Sequence, residues 1–194
     1  MPKKISHNLA EYANALSAVD VKRLNSAISY IRATTHIDRT VYTAGNGGSA
    51  STATHFAADL NKYANGTRVL KRIRSTSLVE NVPLLSAIIN DEGWSELFTY
   101  QLNGKVIPGD ILCCFSVHGG VGEESAGAWS QNLVRAIDYV NDNNGITIGF
   151  SGFNGGVFEN KCSVNIVVPA NSTPIVEGLH VVLTHYIAEK LRTE

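Results

Sequence analysis

The chain has 194 residues, 44% hydrophobic and 17% charged, with a formal net charge of −1. That length suits one domain with a substantial core, read here as residues 1–194, and balanced charge argues against bulk nucleic-acid binding. No apolar run is long enough to span a membrane, and MPKKISHNLAEYA lacks the apolar heart of a signal peptide, so a cytoplasmic protein is expected.

From Ser6 to Ala33, apolar residues recur at helical spacing (Leu9, Tyr12, Leu16, Val19, Leu24, Ile28, Ile31), which predicts one or two helices. Arg39–Ala44 follows as a strand and Ser49–Tyr63 as a helix. The basic stretch Arg68, Lys71, Arg72, Arg74 reads as a solvated loop. Ser75–Val79 is a weaker strand, Pro83 opens a short helix to Ile89, and Trp94–Leu102 reads as another. Asp110–Ser116 is apolar on both faces, as inside a parallel sheet, with Cys113 and Cys114 pointing opposite ways. The three cysteines form no CxxC spacing and read as reduced thiols. Trp129–Asn141 is an amphipathic helix ended by the turn NDNNG. Gly145–Phe150 and Val164–Val168 are further strands, and Thr173–Leu191 closes the chain as a helix with Pro174 in its first turn. Strands alternating with helices mean βαβ units: an α/β fold with a five-stranded parallel sheet between two helical layers. Ligands of such sheets gather beyond the carboxyl ends of the strands. The Gly45–Ser49 turn, the Ser116–Gly120 turn and the segment around Asn90 and Asp91 are therefore expected to converge.

The stretch VYTAGNGGSASTATHFAAD carries the most chemistry. A strand ending in Gly45-Asn46-Gly47-Gly48-Ser49 offers backbone N–H groups and a hydroxyl at the mouth of a helix, where the dipole favours a phosphate. One turn further in, His55 and Asp59 share a face. A second turn, Ser116-Val117-His118-Gly119-Gly120, follows another buried strand and would double the cradle. In the closing helix, Glu177 and His185 lie eight apart with His180 between them, and an apolar helix must find partners for such groups. His55, Asp59, Glu177 and His185 make a plausible N/O set for Zn²⁺ or another divalent ion. They equally suit a general acid and base without a metal.

These motifs resemble those of a known family. GNGGSxxxxxHFAxD is similar to the GNGGSxxxxxHxxxE signature of the sugar isomerase (SIS) domain proteins of the phosphoheptose isomerase group. LLSAIINDEGWSELFTYQL, DILCCFS, NLVRAI and VEGLHVVLTH resemble further segments of that group, covering nearly the whole chain. The resemblance implies a flavodoxin-like SIS fold whose N-terminal helices serve oligomerisation, in a homotetramer with active sites between subunits. It implies interconversion of sedoheptulose 7-phosphate and D-glycero-D-manno-heptose 7-phosphate through an enediol, with Zn²⁺ in many members. Carried over by position, the metal and acid/base residues are His55, Asp59, Glu177 and His185, with Asp59, His185 and Glu177 as candidates for proton transfer. Substrate contacts fall on Asn46, Gly47, Gly48, Ser49, Asp91, Ser116, His118, Gly119 and Ser130.

This chain departs from the pattern at four places. Asp59 stands where the family has Glu, and Glu177 where it has Gln, which adds a negative charge. His118 replaces a serine, and extra residues 121–129, with Glu123 and Glu124, precede Ser130. The inserted stretch makes a different phosphosugar a credible substrate. A rival from another class is a non-catalytic SIS scaffold that binds a sugar phosphate or a partner; retention of His185 beside Glu177 favours an enzyme. Trp94 and Trp129 read as packing residues, Gly178 as a close helix contact, and His7 and His36 as solvated.

Overall fold

A computed structural model describes residues 5–67, 71–120 and 130–192, with the side chains of 5–8 set aside. The first helical stretch divides into α1 (Ile5–Ser17) and α2 (Val21–Ile37). The break falls at Asp20, whose carboxylate accepts from Lys22 N at 2.8 Å and caps the new helix. Then follow β1 (Thr40–Gly45), α3 (Gly48–Asn61), β2 (Arg74–Ser77) and α4 (Val82–Asp91). Where one helix was expected over 94–102 there is a 3-10 turn, Trp94–Glu96, and a single helical turn, α5 (Thr99–Leu102). Gly93 at φ 92 opens that segment, and the two short turns suffice to bury Leu97, Phe98 and Leu102. The remainder is β3 (Ile111–Phe115), α6 (Gln131–Asp142), β4 (Ile146–Gly152), the short α7 (Phe158–Lys161), β5 (Val164–Val168) and α8 (Thr173–Arg192).

All strand pairings are parallel, in the order β2-β1-β3-β4-β5. Apolar residues cover both faces of the sheet. One core joins Ile31, Phe56, Phe115, Phe150 and Leu183; the other joins Tyr42, Phe98, Leu112, Leu133 and Phe158. Cys113 belongs to the first and Cys114 to the second, as alternation along a strand requires. The sheet thus lies between two helical layers, α1, α2, α3 and α8 on one side and α4 to α7 on the other.

The strand order places a switch point between β1 and β3, because the chain leaves β1 toward one edge and β3 toward the other. Gly45 and Phe115 are registered neighbours there, so the Asn46–Ser49 and Ser116–Gly120 turns leave the sheet side by side. Gly178 does provide a close contact: a Cβ there would lie 3.2 Å from Tyr12 on α1. Trp94, expected to pack, is 42% exposed. His36, Lys71 and Arg72 are exposed, while Arg74 pairs with Asp38 at 3.1 Å. Arg68, the inserted residues 121–129 with Glu123, Glu124 and Trp129, and the His7 side chain lie outside what is described. Among the described residues no helix is long and apolar enough to cross a membrane.

Candidate active site

At the switch point a cavity of about 160 Å³ is lined by Asn46, Ser49, Phe115, Ser116, Val117, His118, Ser130, Leu133 and Glu177. Three serines from three segments, the start of α3, the turn after β3 and the N-cap of α6, therefore line one small volume. Gly47 caps α3 at φ 56 with no side-chain hydrogen bond, and Ser49 N and Ala50 N donate back to the Asn46 and Gly47 carbonyls, so the amides of Gly47 and Gly48 are the ones that could serve an anion. Ser116 Oγ accepts from Gly120 N at 3.1 Å, and Ser130 takes a left-handed φ of 59 where α6 begins. The His118 ring tilts against Phe153, centroids 4.4 Å apart.

Gly119, expected to touch substrate, is buried against the loop after β4 and is not among the residues lining the cavity. Its φ is +64, and a Cβ there would collide with the Gly155 carbonyl. Glycine is needed here so that two backbones can cross. Asp91 is not among the residues lining the cavity. It is exposed at the end of α4 and accepts from Asn90 Nδ2 at 2.7 Å. α4 follows the edge strand β2, and Ile88 is its buried residue.

Helices α3 and α8 run side by side in the same direction, Gly48 facing Glu177 at one end and His55 and Asp59 facing His185 further along. His185 Nδ1 lies 3.1 Å from Asp59 Oδ2, and His55 Nε2 lies 3.8 Å from the same oxygen. The two imidazoles meet edge to face with centroids 4.7 Å apart. Potential ligand atoms of the three residues fall within 4.8 Å of one another. Asp59 Oδ2 is shielded from water yet has no hydrogen-bond partner: His55 Nε2 is beyond hydrogen-bond reach, and the closer His185 Nδ1 makes an ion-pair approach without hydrogen-bond geometry. Two nitrogens and a buried oxygen that approach without hydrogen bonding are arranged as ligands are arranged. The His/Asp/His donor set suits Zn²⁺ and similar divalent ions, so these three residues fit a metal.

Glu177 does not join that group in this conformation. Eight residues of helix advance about 12 Å, and its carboxylate turns toward α3: a Cβ on Gly48 would lie 2.6 Å from Glu177 Oε1. The four residues grouped by spacing thus form a three-membered cluster and a separate carboxylate over the helix mouth.

His180, three residues after Glu177, is a core residue. It is 1% exposed, its Nε2 lies 3.1 Å from the Ser151 carbonyl, and its ring sits edge-on to Phe115 and Phe150. Burial pushes its pKa down to about 4, so the ring is neutral.

Asn132 was not singled out from the sequence. It is fully buried, and its amide exchanges two hydrogen bonds with that of Asn46, at 3.1 and 2.9 Å. An asparagine on the inward face of the amphipathic α6 was the available signal, since a buried amide demands a partner.

A family model described as SIS domain matches residues 6–152. The chain belongs to the SIS domain family. A phosphoheptose isomerase of Aliarcobacter butzleri is 34% identical over 151 residues, covering 77% of this chain and 74% of that protein. The lincomycin biosynthesis protein LmbN of Streptomyces lincolnensis is 33% identical over 191 residues, 95% of this chain and 67% of LmbN. Among solved structures, phosphoheptose isomerase GmhA from Neisseria gonorrhoeae shares the fold with a TM-score of 0.84 at 23% identity, covering 98% of this chain and 97% of GmhA. Within the family the chain falls in the phosphoheptose isomerase group, whose members are aldose–ketose isomerases.

Proposed function

We propose that this SIS domain, a single unit over residues 1–194, isomerises a ketose phosphate to its aldose through an enediol, with sedoheptulose 7-phosphate as the first candidate substrate. The observation that carries the reading is the pairing of a serine-lined cavity at the switch point with the His55–Asp59–His185 cluster on the same two helices. Ser49, Ser116, Ser130 and His118 would hold the phosphate, with the amides of Gly47 and Gly48 at the positive end of α3. Asn46 would orient the sugar hydroxyls.

A Zn²⁺ or similar ion held by His55, Asp59 and His185 would supply Lewis acidity toward the adjacent carbonyl and hydroxyl oxygens of the sugar. With Asp59 and His185 so engaged, Glu177 is the carboxylate left to carry the proton between neighbouring carbons, after a rotamer change from Gly48 toward the cluster. Without a metal, Asp59 and His185 themselves are placed to remove and return protons. Asp59 is one methylene shorter than the family's Glu, so the substrate must approach α3 more closely or the ion must sit deeper.

We also infer a cytoplasmic homotetramer. Support for assembly comes from an apolar groove lined by Leu16, Val19, Val21, Leu24, Val182, Leu183 and Tyr186, where α1 and α2 meet α8. Four of these are exposed large hydrophobics, Leu16, Val21, Val182 and Tyr186.

A second reading keeps the chemistry and changes the sugar. The likeness to LmbN covers 95% of the chain, and Glu177 and His118 alter both walls of the cavity. This favours a phosphosugar of secondary metabolism. Incubation with sedoheptulose 7-phosphate and a panel of ketose phosphates, with product analysis, decides. Turnover of the heptose supports the first reading, and turnover of another ketose phosphate alone supports the second. Binding without turnover of any would leave the scaffold alternative.

A further inference from the structure

We propose that Asn132 is a positioning residue that sets which edge of the Asn46 amide faces the sugar. The proposal rests on the phosphosugar reading of the cavity. Asn46 lines that cavity and Asn132 does not. Asn46 Nδ2 donates to Asn132 Oδ1 at 3.1 Å, and Asn132 Nδ2 donates to Asn46 Oδ1 at 2.9 Å. A closed pair of amides uses one N–H and one carbonyl lone pair from each partner. One N–H and one lone pair of Asn46 remain, and they are what the cavity can use.

The pair alone would look the same if both amides were turned over together. A third bond removes that freedom: Asn132 Oδ1 also accepts from the backbone N–H of Leu133, at 2.9 Å. Turning Asn132 over would set its NH₂ against that N–H, which would keep only its other acceptor, the Ser130 carbonyl at 3.0 Å, and face a donor where it now has a second acceptor. The first turn of α6 therefore fixes Asn132, and Asn132 fixes Asn46 across 86 residues of sequence. Asn132 is 0% exposed, so water cannot take over either bond. The relay also joins the turn after β1 to the helix after β3, the two walls of the phosphate cradle. A shift at Asn46 would therefore open the cradle as well as misdirect the amide.

The test combines Asn46→Ala, Asn132→Leu and the double variant, assayed for kcat/KM with the ketose phosphate that the wild type turns over. Each single change is expected to lower kcat/KM on the order of tenfold to a hundredfold, and the double variant to fall no further than the worse single. Asn132→Asp keeps the acceptor for Leu133 and Asn46 and sets an oxygen against Asn46 Oδ1, so it loses one bond of the pair where Asn132→Leu loses both, and it should retain more activity than Asn132→Leu. A role confined to packing ranks these two the other way, since a buried carboxylate costs more than an apolar group of similar volume. Multiplying losses in the double variant, or wild-type kcat/KM in Asn132→Leu, would overturn the proposal. A crystal structure of Asn132→Leu, or of Asn132→Ala if the leucine variant does not fold, reads the positioning without substrate. Asn46 should leave its present rotamer or occupy more than one, and an unchanged, singly ordered Asn46 contradicts the relay. Should the wild type turn over no phosphosugar, the functional reading fails by itself, and the crystal structure still decides whether Asn132 holds Asn46.

Discussion

The seam where α8 packs on the sheet and the seam where it packs on α3 each hold a histidine, with opposite consequences. His180 enters the first, among Phe115, Phe150 and the Ser151 carbonyl, in a space too dry for a charge. His185, about 140° further round the helix, enters the second with 53% of its side chain exposed, beside Asp59 and His55. One ring is held neutral for packing, and the other is open to ligands and solvent. Residue type on a helix says little about role until the face is known.

The largest expected effect sharpens the His185 side of this contrast. His185→Ala should reduce turnover on the order of a thousandfold, within the range for losing an acid–base group, while circular dichroism and melting temperature stay close to wild type. A loss of less than tenfold would move His185 out of the chemistry.

His180 should report on pH instead. Its folded pKa is depressed to about 4 from the ordinary 6.5. Its contribution to stability is therefore complete above pH 6.5 and is lost as pH falls through 4, because the unfolded chain takes up a proton that the folded chain refuses. The full span is worth about 3 kcal/mol. His180→Leu should flatten that part of the stability–pH curve, measured by urea unfolding between pH 7 and 4, and leave turnover largely intact. An unchanged slope would mean that another group carries it.

Two glycines of the turns that build the cradle divide in the same way. Gly119→Ala meets the Gly155 backbone at positive φ and should cost about 2 kcal/mol or more of stability, seen in the urea midpoint. Gly48→Ala meets only the movable end of Glu177. It should fold normally and change kcat/KM by about tenfold or less, on the scale of a modest displacement of an active-site group. Destabilisation by Gly48→Ala and tolerance of Gly119→Ala would reverse the assignment.

Periodicity and turn chemistry made the five strands and the main helices readable, because a parallel sheet needs continuous apolar runs and its helices need one apolar stripe. The rule that ligands gather beyond the carboxyl ends of parallel strands then brought the two glycine turns together. The meeting of His55, Asp59 and His185 was legible in part, as i,i+4 spacing on one helix and a histidine on another. That Glu177 turns away from them was not, since spacing fixes the face of a helix and leaves the reach of a long side chain open. Asp91 was drawn toward the site by the general rule for strand ends, and within one chain it stands exposed at the end of α4, outside the lining of the cavity. Asn132 escaped notice because its partner lies 86 residues away, and no local pattern encodes such a pairing.

The most direct test of the central claim is turnover of the ketose phosphate by protein stripped with chelator and then titrated with Zn²⁺, alongside Asp59→Asn and metal-content analysis. The account predicts that activity vanishes on stripping, returns with one equivalent of metal per chain, and that Asp59→Asn neither binds nor recovers. Full turnover by metal-free protein would contradict the metal role, and full turnover by Asp59→Asn as well would contradict the assignment of the chemistry to this cluster.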